Sequence, residues 1–190
     1  MKPLLAIQLI VALVGFLPCG AEAAEFDFYG RFTSLIETNR FGPALTNSNL
    51  SLSNIAQSGE IAGVKLGTGM SAAVERWGKP RNFYASCGGG PSLMFGHGTL
   101  NFRGNKVVRV SISPNTIPGL RFESGLTATN TPAQFANVLG LPVPGPARWE
   151  LTFESTNGVM ELRWNHFAVG GWQLSWLSFG PPEIAQAGIR

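Results

Sequence analysis

The side chains best suited to covalent or metal chemistry are few: Cys87, His97 and His166. A thiol beside an imidazole is the minimum for nucleophilic catalysis, because the base must take the thiol proton. Spacing alone does not bring these three groups together, and Cys87, followed by Gly88-Gly89-Gly90, also suits an inert strand end. They offer neither C-x-x-C nor H-x-x-x-H spacing, so no metal site is expected. Gly67-x-Gly69-x-x-Ala72 has the outline of a dinucleotide loop, but no βαβ pattern or correctly placed acidic residue follows. A turn leading into a helix accounts for these glycines, and no cofactor is expected.

Glu150, Glu154 and Glu161 are the remaining candidates, since a hydrolase can work with two facing carboxylates. Strand alternation sends Trp149, Leu151 and Phe153 to one face and Arg148, Glu150, Thr152 and Glu154 to the other. The next strand continues the pattern, with Met160, Leu162 and Trp164 inward and Glu161 and Arg163 outward. Cross-strand ion pairs on a solvated face account for these charges without catalysis. A hydrolase dyad is the alternative.

The elements that position these residues come from an internal repeat. A shift of 62 residues lays Gly63-Val64 on Gly125-Leu126 and Gly78-x-Pro80 on Gly140-x-Pro142. Between these anchors each copy predicts a helix. Thr131-Pro132-Ala133-Gln134 is a capping box with proline in the first turn, followed by an apolar stripe of Phe135, Val138 and Leu139. Gly69 or Ser71 opens the other helix, whose stripe is Ala73, Val74 and Trp77; Gly78 and Gly140 suit helix ends. Hairpins follow, Thr99–Phe102 with Lys106–Val110 and Glu150–Phe153 with Val159–Leu162, and Trp172–Leu177 adds a strand. The first copy carries about eleven extra residues, assigned to Gly88–Gly98.

The expected fold is α+β: two tandem modules, 61–116 and 117–180, each a short helix packed on an antiparallel β-sheet. Residues 24–60 are an N-terminal extension and linker, in which Phe26, Phe28 and Phe32 alternate like an edge strand. Ala44–Ser58 reads as a loop with a possible short strand at Leu50–Leu52, and 181–190 as a tail.

The run Gly63-Val64-Lys65-Leu66-Gly67-Thr68, a helix, Trp77-Gly78-Lys79-Pro80 and a Phe102–Val110 hairpin resembles the SmpA/OmlA outer-membrane assembly lipoproteins and the β-lactamase inhibitory proteins. The resemblance covers roughly residues 61–179 and implies tandem helix-plus-sheet modules. Related inhibitors usually carry disulfides, which one mature-chain cysteine cannot make. The assembly lipoproteins have a single module and a proper lipobox.

Met1-Lys2-Pro3, the apolar run Leu4–Leu17 and Ala21-Glu22-Ala23 have the order of a secretory signal, with cleavage after Ala23. Those fourteen residues, apolar except for Gln8 and Gly15, rise only about 21 Å, short of a roughly 30 Å membrane core. The alternative fate is lipidation at Cys19, but Pro18 stands where a lipobox wants a small residue. Export to the periplasm or medium is therefore expected, with lipid anchoring as the alternative. No later apolar run is long enough for an integral membrane span, and a net charge of +3 is no nucleic-acid footprint.

A tandem scaffold without a convincing nucleophile, metal or cofactor pattern favours a non-enzymatic module that binds a protein partner, over a cell-envelope scaffold or a hydrolase; the resemblance implies an inhibitor-like mode. The expected partner-binding residues are Leu93, Phe95, Arg148, Glu150, Glu161, Arg163 and Phe167. Leu93 and Phe95 admit two readings: anchors on a mobile inserted loop, or an extension of the first module's sheet into its core. Phe167 heads an exposed patch around the His166–Gly171 loop, left over once the other C-terminal aromatics fill the core.

Overall fold

Local chemistry starts and stops three helices, described here from a computed structural model covering residues 33–34, 49–84, 91–145 and 149–182. Ser51 caps α1 (Leu52–Ser58) by accepting the Asn54 N–H at 3.1 Å, and Gly59 ends it in the left-handed conformation. Gly69 opens α2 (Met70–Trp77) and Gly78 closes it. At α3 (Pro132–Leu139) both halves of the expected capping box form: Thr131 accepts the Gln134 N–H and Gln134 accepts the Thr131 N–H. The bounds of α2 and α3 are 62 residues apart at both ends. Ala62-Gly63 and Ser124-Gly125 repeat that spacing, each a non-glycine followed by a glycine at positive φ. Such a pair is costly outside glycine, so its recurrence is a conformational signature rather than a coincidence of composition.

Residues 52–58, expected as linker, form a core helix instead: Leu52, Ile55 and Ala56 are buried. The uncharged Ser/Asn composition concealed an apolar stripe only one turn long. The stripe of α3 is also shifted, since Phe135 and Ala136 are buried while Val138 is exposed. Phe26, Phe28 and Phe32 lie outside the described residues.

Eleven strands occur among the described residues. Three are two-residue pieces before α2, β1 (Asn49–Leu50), β2 (Glu60–Ile61) and β3 (Val64–Lys65); four follow it, β4 (Asn82–Tyr84), β5 (Ser92–Met94), β6 (Gly98–Arg103) and β7 (Lys106–Ile112). The rest are β8 (Arg121–Phe122), β9 (Glu150–Ser155), β10 (Gly158–Phe167) and β11 (Gly171–Gly180). Seven of them form one antiparallel sheet in the order β4-β5-β6-β7-β11-β10-β9. The fold is thus α+β with a largely antiparallel sheet, β1 and β8 being a short parallel pair. The last strand before residue 116, β7, pairs with β11, the last described strand, Leu177 opposite Ile112 and Phe179 opposite Val110.

One face of the sheet carries Leu93, Leu100, Phe102, Val110, Met160, Leu162 and Leu177, all buried in a core with Trp77, Phe135 and Trp164. Each large side chain removed from water there contributes roughly 1.5–3 kcal/mol. Gly98 is required by closeness: a Cβ there would lie 2.1 Å from the Ser111 carbonyl oxygen.

Leu93 and Phe95 need correcting as candidate docking residues. Ser92–Met94 is strand β5, with Leu93 opposite Leu100 and fully buried, and Phe95 is 4% exposed against Trp77. Residues 92–95 join the sheet and its core because their apolar side chains gain more there than on a loop. Gly88–Gly90 and Cys87 lie outside the described residues, as does Arg148.

Candidate functional site

Strand alternation holds where β9 and β10 meet. Glu150 is opposite Arg163 and Thr152 opposite Glu161, and these side chains face away from the core. Arg163 Nη2 is 3.4 Å from Glu150 Oε1 and 3.9 Å from Glu161 Oε2, so one guanidinium bridges two carboxylates. The Arg163–Glu150 pair is part-exposed, as a cross-strand surface pair should be.

Glu161 departs from the expected solvated face, since only 3% of it is exposed. A buried carboxylate requires partners, and the decisive one comes from two strands away. Arg109 on β7 reaches across β11 to place Nη2 3.0 Å from Glu161 Oε2. Its stem passes over Gly180, where a Cβ would sit 3.3 Å from Arg109 Cγ. Ser178 on the intervening strand donates its hydroxyl to the same carboxylate at 3.3 Å. Buried Ser111 Oγ, Arg109 Nε and Arg163 Nε have no hydrogen-bond partner.

The far end of the long β10–β11 hairpin carries exposed apolar side chains. Trp149 is 51%, Phe167 45% and Val169 93% exposed. Trp172 joins Trp149 edge to face at 6.3 Å and the His166 ring at 4.8 Å. Phe167, Val169, Gly170 and Trp172, with Thr129 and Gln173, line a cleft of about 230 Å³. The expected exposure of Phe167 and of its loop is observed.

His97 stands apart from this surface. It is buried against Trp77 and Phe95, ring centroids 4.8 and 5.6 Å away, and its Nε2 has no partner. Burial, reinforced by the positive charge of Arg81, lowers its pKa to about 4, so the ring is neutral at pH 7. His166 lies at the far hairpin, on the exposed aromatic surface.

The structure therefore brings Glu150, Glu161 and Arg163 together where β9 and β10 meet, places Phe167 four residues farther along β10 at the hairpin end, and separates Leu93 and Phe95 from them. Arg109, Ser111 and Ser178 were missed by sequence reasoning. The reason for Arg109 is a register shift between Asn101 and Phe102, which puts Val107 and Val110 on the core face and breaks simple alternation along β7. Among the described residues no group of three or more His, Cys, Asp or Glu side chains converges on a metal-sized site, and no helix is long and apolar enough to cross a membrane. Comparisons with family models, with curated proteins and with solved structures give no match.

Proposed function

We propose that the chain is an exported, non-enzymatic protein-binding module that engages its partner at the hairpin end of β9–β11. One observation carries this reading: Phe167 and Val169 stand open to solvent at a cleft that Thr129, Trp172 and Gln173 also line, and exposed Trp149 meets Trp172 edge to face. Aromatic anchors ringed by polar groups are what protein interfaces use, and their exposure costs hydrophobic free energy that a partner would recover. An inhibitor-like mode of action is what the resemblance to β-lactamase inhibitory proteins implies; the partner's identity is open to experiment.

The scaffold for this site is, on the same reading, two tandem modules sharing one sheet. The matching bounds of α2 and α3 and the matching Ala62-Gly63 and Ser124-Gly125 turns support it. So does α1, which starts 62 residues before the 3-10 turn Pro114–Thr116 and extends the first module back to about residue 50. Export rests on the signal-like order of residues 1–23. Intact mass of the secreted protein tests it, with a start at Ala24 expected and an acylated Cys19 against it.

Binding is tested by crosslinking and capture from envelope extracts with the mature chain and with the Trp149→Ser/Phe167→Ser variant. The expected outcome is a protein retained by the parent and lost by the folded variant. Equal capture by both moves the interface elsewhere. Turnover of a substrate that vanishes in Cys87→Ala or Glu150→Gln would make the chain an enzyme.

A further inference from the structure

The two ends of the seven-stranded sheet are not equivalent. Counting outward from the β7–β11 seam, β6, β5 and β4 lie on one side, but only β10 and β9 on the other. The missing position is beyond β9. At the 62-residue spacing, Asn82-Phe83-Tyr84 of β4 corresponds to Pro144-Gly145-Pro146. Proline has no N–H to donate to a sheet ladder, and two prolines flanking a glycine do not make a strand. The chain thus forms a first strand after α2, while residues 141–145, which follow α3, are in no strand.

The β9 edge, unpaired among the described residues, has a defined hydrogen-bonding phase. Trp164 N–H donates to the Trp149 carbonyl at 2.7 Å, which makes that pair a bonded one. Alternation then directs the backbone of Leu151, Phe153 and Ser155 toward β10 and that of Glu150, Thr152 and Glu154 away from it. The outward N–H and C=O groups have no partner among the described residues. Glu154 is exposed and in no ion pair, and no lysine or proline within Glu150–Ser155 blocks the edge.

Beside the C-terminal half of this edge lies a cleft of about 250 Å³, with Ala56 of α1, Leu139 of α3, Phe153 and Met160 as its apolar lining. A residue added opposite Glu154 would share the face of Glu150, Thr152 and Glu154, and its chain neighbour would face the cleft. The geometry points to an extended peptide from a protein partner, added to β9 as an eighth strand, with a basic side chain opposite Glu154 and an apolar one in the cleft. Charge selects this occupant over a second copy of the chain: antiparallel self-pairing of Glu150–Ser155 would bring glutamates of both copies onto one face, whereas lysine or arginine complements them. This assignment rests on the reading of the chain as a protein-binding module and names how the partner is held.

The test uses the mature chain, isotope-labelled, and a fluorescent peptide alternating arginine or lysine with valine or leucine. Saturable binding with amide shifts concentrated at Glu150, Thr152 and Glu154 is expected. Affinity should fall at least tenfold in Glu154→Lys, and in a peptide carrying proline at alternate positions. An acidic version of the peptide that binds equally well, shifts confined to other strands, no binding, or self-association through β9 would each overturn it. Capture of an envelope protein that needs Trp149 and Phe167 but is indifferent to Glu154→Lys would sink the strand addition alone. Absence of any captured protein would remove the binding reading as well.

Discussion

Ser53 and Glu123 are seventy residues apart in sequence, yet the Ser53 N–H (2.9 Å) and hydroxyl (2.8 Å) both donate to one carboxylate oxygen of Glu123. The Leu52 N–H donates to the other oxygen. A side chain from the second half of the chain therefore caps the N-terminus of α1, next to the β1–β8 pair that joins the same segments.

Burial alone would raise the Glu123 carboxyl, but the bonds from Ser53 and Leu52 outweigh it and hold the group below its ordinary 4.5. Its contribution to stability is therefore present above pH 4.5 and is lost as pH falls below that value. Glu123→Ala should cost about 2 kcal/mol at pH 7. Urea midpoints for parent and variant should converge as pH is lowered below 4.5; an unchanged gap would place the loss in packing.

Arg109→Met should be more damaging, about 3–5 kcal/mol, because it leaves Glu161 buried beside one distant guanidinium. The double variant Arg109→Met/Glu161→Met should recover most of the loss. A double-mutant cycle by chemical denaturation measures the coupling, and additive costs would show that the 3.0 Å pair is not what matters.

His97 gives a separate acid response. Its folded pKa of about 4 lies below the ordinary 6.5, so protons bind the unfolded chain first as pH falls. Stability should be full above pH 6.5, decline from there to about 4 and then level off, a loss of at most about 3 kcal/mol. Unfolding midpoints between pH 7 and 4 should show that slope in the parent and a flattened one in His97→Gln. An identical slope in both would assign it to another group.

Phe95→Ala should lower stability by about 3–5 kcal/mol through the cavity left beside Trp77. Phe167→Ala should stay within about 0.5 kcal/mol, since nearly half of that side chain is already in water. Melting temperatures decide: comparable drops would mean that the hairpin aromatics are structural.

Whatever a few neighbouring residues can enforce was determined by the sequence itself. The capping box of α3, the glycines ending α2 and α3, the β6–β7 turn and the inward phase of Met160, Leu162 and Trp164 are satisfied within a turn or a hairpin. Helix α1 was not legible, because its one-turn stripe sits among serines and asparagines and its cap is completed by Glu123 from the other half. Only the tertiary structure decided which strand ends the sheet, that Leu93 and Phe95 lie inside it, and that Arg109 crosses Gly180 to reach Glu161. Those outcomes depend on pairings between distant segments, and a local pattern shows which face a side chain takes but not which strand will lie beside it.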